Sequence, residues 1–254
     1  MKKIVLIIMI ASLMCSCVKT TKEKSTFAII NNDYNKKVLI NQNDKKLLKD
    51  SLIFDQMALN LFIPLAENTN GKLYFAVDAT KLTSTIISVV KNHAIDSTDI
   101  VLLIDKTGSM QDDIEEVKKN TTTIINEINK LQNIKTCIAT YGDKNIDGRF
   151  WFKTTILTDN NTMLNNTINN INITGGGDIP ESVYDGIYAV LNKIKWRSNS
   201  KRMILVIGDA PPLEGKLTNY TQSQVIKKCK EMSVQINLYP IIVGLGFADT
   251  TTTK

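Results

Sequence analysis

The stretch that decides the fold is "IVLLIDKTGSM", Ile100 to Met110. An apolar run leads without a break into Asp105, and a turn follows that carries Gly108 and the hydroxyls of Thr107 and Ser109. A continuous run of this kind suits a strand buried on both faces, as in a parallel sheet, rather than the alternation of a half-exposed strand. Next comes "QDDIEEVKKNTTTIINEINKLQ", which places Ile114, Val117, Ile124, Ile128 and Leu131 along one helical face. The unit is therefore strand, acid-bearing turn, amphipathic helix. Asp105 has three readings at this point: a nucleophile, a member of a metal site built from hydroxyls and carboxylates, or a helix cap.

The alternation continues downstream. "KTCIATY" reads as a strand, and "RFWFKTTIL" follows it after the turn "GDKNIDG", a hairpin that puts the second strand at a sheet edge. "NTMLNNTINNI" is a short helix, and "PESVYDGIYAVLNKI" a helix with Val183, Ile187, Val190, Leu191 and Ile194 inward. "RMILVI" is a buried strand, "TQSQVIKKCKEM" a helix and "NLYPIIVG" a last strand. Pro240 is awkward in that strand, because proline cannot donate to a ladder. Strands alternating with helices predict a doubly wound, mainly parallel α/β sheet with right-handed crossovers. Ligands bind such sheets at the C-terminal ends of the strands. "DKTGSM", "TGGGD" and "GDAPP" all fall beyond strand ends or in loops leading into helices, so three acid-bearing loops meet at one rim.

From about residue 99 to 246 the chain resembles a von Willebrand factor type A domain, a Rossmann-like fold with a metal-ion-dependent adhesion site on its rim. Asp105, Thr107 and Ser109 match the family's Asp-x-Ser/Thr-x-Ser motif, and Asp209 in "ILVIGDAPP" matches its last aspartate. Asp178 in "TGGGDIPE" stands where the family usually has a threonine. The pairing of DxTGSM with GGGDxPE is similar to the domains of hemicentin-type extracellular proteins and of certain atypical alpha-kinases. The resemblance implies that the hydroxyls of Thr107 and Ser109 contact Mg²⁺ (or Mn²⁺ or Ca²⁺) directly. Asp105 and Asp209 then act largely through water and hydrogen bonds, orienting the inner ligands. Mg²⁺ is small and hard and keeps several waters; with few direct carboxylates it takes one from a protein partner. Asp178 adds a third potential anion, which favours cation binding and weakens attraction for an acidic partner. Thr174 is an alternative hydroxyl ligand. Asp178 is alternatively a cap for the next helix, with Glu181 at capping-box spacing and Pro180 in the first turn. Ser109 likewise has a second reading as an N-cap, with Asp112 three residues on.

An aspartyl-phosphate enzyme is the reading from another class, since "DKTGS" is one residue from the DKTGT of the transport ATPases. That chemistry needs a carboxylate nucleophile, Mg²⁺ and a lysine. No GDGxND follows, "TGGGDIPE" has no place in that family, and an amphipathic helix starts at once after Ser109. The expectation is a non-enzymatic, metal-dependent protein-binding module for adhesion or assembly. A scaffold that no longer binds metal is the alternative, and the aspartyl-phosphate enzyme a remote one.

The remaining features bound this reading. A net charge of +6 is spread along the chain without a basic stripe interleaved with aromatics, so nucleic acid is not an expected partner. His93 is the sole histidine, which excludes a histidine-based metal or catalytic cluster. Cys137 and Cys229 are expected as buried free thiols. Lys2 and Lys3 precede the apolar run Ile4–Met14 and then "MCSC". This resembles a bacterial lipoprotein signal over residues 1–17, with Cys17 lipidated and the chain tethered to a membrane of the cell envelope; a cleaved signal peptide is the other reading. Residues 18–35 read as a flexible tether and 36–98 as an unassigned extension with short strands at "KVLI" and "KLYFAVD" and a helix at "KLTSTIISVVKNH". Residues 99–254 form the domain. The resemblance implies a further helix, strand and helix after the last strand, which the sequence up to Lys254 does not supply; either the chain is truncated or 36–98 fills the gap.

Overall fold

The computed structural model describes residues 27–30, 38–41, 54–175 and 180–244. The signal segment, Cys17 and Asp178 lie outside the described residues. Within the stretch expected as a tether, Phe27–Ile30 (β1) is extended and pairs antiparallel with Val38–Asn41 (β2). This short hairpin falls partly within that stretch and partly within the expected extension. The hairpin belongs to a unit of residues 1–46, separate from the unit of residues 47–254.

In the larger unit the order is α1 (Gln56–Glu67), β3 (Tyr74–Ala76), α2 (Ala79–His93), β4 (Thr98–Asp105), α3 (Gln111–Lys119) and α4 (Thr121–Asn129). Then follow β5 (Lys135–Tyr141), the short α5 (Lys144–Asp147), β6 (Phe152–Thr154), α6 (Asn161–Asn169), α7 (Val183–Lys193), β7 (Lys201–Gly208), α8 (Gln222–Glu231) and β8 (Ile236–Val243). The six strands stand in the order β3-β8-β7-β4-β5-β6. All pairs are parallel except β5–β6, the hairpin expected from the sequence. β4 lies in the interior of the sheet, and its apolar run is divided between two cores. Val101 and Leu103 face the layer of α1, α7 and α8, while Ile100, Leu102 and Ile104 face that of α2, α3, α4 and α6. This is why the run carries no alternation.

The segment 54–93 is part of the same sheet. It supplies a helix, an edge strand and a second helix, and β3 covers β8 along Ile241–Val243. In sequence this helix–strand–helix precedes β4. Asp55 caps α1 by accepting from the Ala58 N–H at 2.8 Å. The approach to β8 is tight: Thr69 Oγ1 accepts the Leu238 N–H at 3.2 Å, and a side chain at Gly71 would fall on the Leu238 carbonyl. Pro240 is explained by the same edge. Leu238 donates to Thr69 and Gly244 donates to Ala76 O at 2.7 Å, both on the β3 side of the strand. Pro240 faces the same way by alternation, at a level just before β3 begins its pairing at Ile241. The missing N–H leaves no ladder bond unmade.

The long helix expected after "DKTGSM" is broken at Asn120. There Asn120 Nδ2 donates to Glu116 O at 3.0 Å, and Thr121 Oγ1 to Val117 O at 2.9 Å. Such side-chain bonds compete with the helical ladder. Cys137 and Cys229 are buried free thiols, as expected.

Candidate metal site

The site begins where β4 ends. Asp105 is level with Tyr141 of β5, and Ile104 with Ile207 of β7, so Asp209 leaves its strand next to Asp105. Gly208 makes this approach possible: a Cβ there would lie 2.9 Å from the Tyr141 hydroxyl and 3.3 Å from Asp105 Oδ2. The chain then turns on Asp105 itself. The Thr107 N–H donates to Asp105 Oδ1 at 2.9 Å and the Thr107 hydroxyl to the same oxygen at 2.8 Å. Ser109, exposed in a 3₁₀ turn of Gly108–Met110, donates to Asp209 Oδ1 at 3.1 Å. Two carboxylates thus each hold one hydroxyl of the Asp-x-Thr-x-Ser motif.

Several sequence expectations are settled locally. Ser109 does not cap α3; Met110 stands at that position and no side chain caps the helix. Glu181 does not sit in the first turn of a helix, as the alternative capping box of Asp178 and Glu181 would need. Helix α7 starts only at Val183, and Glu181 lies outside it, its N–H donating to Pro211 O at 2.9 Å and its carbonyl accepting the Leu213 N–H at 2.7 Å. Thr174, the alternative hydroxyl, is engaged elsewhere: it donates to Asp147 Oδ2 at 3.1 Å and lies against Lys106 Nζ.

The electrostatics of the rim are unusual. Asp105 is fully buried and Oδ2 has no hydrogen-bond partner. The Tyr141 hydroxyl is its neighbour; it completes no regular hydrogen bond to it, yet stands close enough to favour the ionised carboxylate slightly. Burial, then the charge of Asp209, pushes the Asp105 carboxyl up to about 7 against the pull of its Thr107 hydrogen bonds. Burial, followed by the charges of Asp105 and Asp143, pushes Glu181 up to about 8, and Glu181 Oε2 also lacks a partner. Asp209 is raised by burial as well. Asp113, in the first turn of α3, is pushed up to about 7 by burial, with Asp112, Asp209 and Asp78 adding repulsion. Lys106, the cation nearest in sequence, does not neutralise these acids, because its ammonium is paired with Asp147 at 3.1 Å.

This donor set fits a hard divalent cation. It offers hydroxyl and carboxylate oxygens, no imidazole or thiolate, and buried carboxylate oxygens without partners, which suits Mg²⁺, Mn²⁺ or Ca²⁺ over softer metals. Among the described residues no three acid, histidine or cysteine side chains gather as a ready-made chelate; the hydroxyls would complete the set. Sequence reasoning considered Glu181 only as the second half of an alternative helix cap and passed over Tyr141 and Asp147. The glutamate of "GGGDIPE" was the one available signal.

A sequence profile of the von Willebrand factor A domain matches residues 99–239, more than half of the chain. The chain belongs to this family. Among curated proteins it is similar to the alpha-protein kinase vwkA of Dictyostelium discoideum, 28% identical over 153 residues, which cover 59% of this chain and 23% of the kinase. Among solved structures it is similar to the pilus adhesin SpaC of Lactobacillus rhamnosus GG in an open conformation. That match has 19% identity over 44% of this chain and 14% of the adhesin, with a TM-score of 0.36. It is also similar to BatB of Bacteroides thetaiotaomicron, 14% identical over 56% of this chain and 65% of BatB, with a TM-score of 0.41. The match to the kinase takes in less than a quarter of that protein. A von Willebrand factor A domain is typically a protein-interaction module.

Proposed function

We propose that this chain is a divalent-metal-dependent protein-binding module of the adhesion or assembly kind. The observation that carries the reading is the paired arrangement of Asp105 with Thr107 and Asp209 with Ser109, beside buried carboxylate oxygens that complete no regular hydrogen bond. In this reading Thr107 and Ser109 present their hydroxyl oxygens to the metal, while Asp105 and Asp209 fix the rotamers of those hydroxyls and supply negative charge behind them. Glu181 adds charge from the Pro211–Leu213 side. Asp178 is proposed as a further ligand from the glycine-rich loop, with Thr174 turned to Lys106 and Asp147 instead. The bound Mg²⁺ would supply an electrophilic centre for a carboxylate of the partner protein.

A scaffold without metal would have little use for an unpartnered acidic cluster at its rim, which favours the metal reading over that alternative. Against a phosphorylated aspartate stand the complete burial of Asp105 and the pairing of Lys106 with Asp147. We place the module in a bacterial cell envelope, anchored through a lipid on Cys17. Among the described residues no helix is long and apolar enough to cross a membrane. Affinity capture from envelope extract, with and without EDTA, tests the binding claim: the partner is recovered only with metal, and equal recovery in both refutes it. Radiolabelled palmitate incorporation, lost in Cys17→Ala, tests the anchor.

A further inference from the structure

We infer that the cleft between helix α6 and the β5–β6 hairpin is a second binding site, for a saccharide unit that carries one carboxylate. Its volume is about 710 Å³, within the range of pockets that hold small organic ligands. The sequence of α6 leaves this gap open. The helix packs an apolar stripe, Leu164 and Ile168, into the core. Met163, Asn166, Thr167 and Asn170 stand at i, i+3, i+4 and i+7 and share a different face. That face is polar but for Met163, and it lines the cleft instead of closing it.

The opposite wall is the hairpin. Thr140 is paired with Lys153 across it, so both side chains stand on one face of the sheet, with Ile138 on the same face two residues earlier. Ile138 and Thr140 form a buried floor, while Phe150 and Lys153 are exposed at the mouth. The polar groups around this floor are uncommitted. Among the described residues, the carboxamides of Asn166 and Asn172, the hydroxyl of Thr140 and the ammonium of Lys153 have no hydrogen-bond or ionic partner. The acid in the lining, Asp147, is paired with Lys106 at 3.1 Å and does not repel an anion as a bare carboxylate would.

This set of groups selects its ligand by chemistry. A carboxamide donates and accepts at once, which matches a sugar hydroxyl, itself both donor and acceptor. Phe150 is 56% exposed and offers an apolar ring to the C–H face of a pyranose. Arg149 lies 4.7 Å from the centre of that ring and adds positive charge beside the mouth. Lys153 supplies a single ammonium in the lining, enough for one carboxylate but not for a polyphosphate. An acidic peptide would share the charge but has no adjacent hydroxyls to engage the amides. The site does not depend on the metal reading above, and its test is made without metal.

The experiment is isothermal titration of glucuronate into the full chain in EDTA, with glucose, acetate and an acetylated diglutamate peptide alongside. Glucuronate should bind saturably and more tightly than any of the three. Lys153→Met should weaken glucuronate about tenfold, the loss of one charge-assisted hydrogen bond, and leave glucose unchanged. Asn166→Leu should weaken both sugars. Both side chains are exposed, so the melting temperature should stay at the parent value. No saturable binding of glucuronate in the millimolar range, binding no tighter than that of acetate, or equal binding by the parent and both variants overturns the proposal. Tighter binding of the peptide than of glucuronate overturns it in favour of a peptide groove.

Discussion

Replacing Asp105 with asparagine should stabilise the metal-free protein and abolish its response to Mg²⁺. The carboxyl is pushed up to about 7, mainly by burial, from an ordinary value of 3.8. A tenfold change in an acid's ionisation equilibrium corresponds to about 1.4 kcal/mol, so holding this group ionised in the metal-free fold at pH 8 costs on the order of 4 kcal/mol. Asparagine removes that cost. Its Oδ1 still accepts from the Thr107 N–H and hydroxyl, and the value of about 7 already includes the extra strength of those bonds to a charged acceptor. The gain is therefore about 4 kcal/mol, or roughly 8–16 °C in melting temperature for a domain of this size. At pH 5 the parent carboxyl is protonated in the fold while the unfolded chain is still mostly ionised, so the advantage of asparagine should shrink to about 2 kcal/mol. The assay is thermal melting of both proteins in EDTA and in Mg²⁺, at pH 5 and pH 8. An asparagine variant that melts lower than the parent at pH 8 in EDTA, or gains as much from Mg²⁺, would refute the reasoning.

Other consequences follow from the same structure. Asp105 and Glu181 are raised to about 7 and about 8, so the fold holds protons that the unfolded chain has released. Stability in EDTA should therefore fall as pH rises from about 4 to 8, and the Mg²⁺-induced increase in melting temperature should grow over that window; a Mg²⁺ effect independent of pH would contradict it. Deleting 54–93 removes Phe62, Leu65, Leu82, Ile86 and Val89 from the two cores. At roughly 1.5–3 kcal/mol each this is on the order of 10 kcal/mol, comparable to the whole stability of a domain. Circular dichroism should show no cooperative melt, and a melt like the parent's would show the segment to be dispensable. At the opposite end of β4, Arg197 holds the fully buried Asp99 through Nε at 2.5 Å and its own N–H at 2.8 Å. Arg197→Ala leaves that charge without its counter-ion and should lower stability by about 3 kcal/mol in urea titration; a change below about 1 kcal/mol would argue against it.

Much of this fold was legible because its central strands are buried on both faces. "IVLLI" and "RMILVI" must be apolar throughout when alternate residues enter two different cores. The hairpin of β5 and β6 was legible from its turn, and the inward face of α7 from its periodicity. Helix α1 was not, because Pro64 lies inside it, where it removes an N–H from the helical ladder and reads as a helix breaker. The place of 54–93 beside β8 depends on a contact between residues more than 160 apart, which no local pattern encodes. The site divides the same way. Asp105, Thr107, Ser109 and Asp209 form a recognisable motif at strand ends, and the fold brings them together. The cap alternative for Asp178 and Glu181 fails because capping-box spacing requires a helix that starts at residue 179, and α7 starts four residues later, at Val183. Asp147 sat in "GDKNIDG", where a turn explains every residue until its partners from two other loops are seen.

The most direct test of the central claim is isothermal titration of Mg²⁺ into metal-stripped protein at pH 8, beside Ser109→Ala. Ser109 is exposed and bonded only through its hydroxyl to Asp209, so its removal should leave the fold intact. The account predicts one ion bound per chain by the parent and strongly weakened binding by the variant at an unchanged melting temperature in EDTA. No binding by the parent, or equal binding by both proteins, would contradict it.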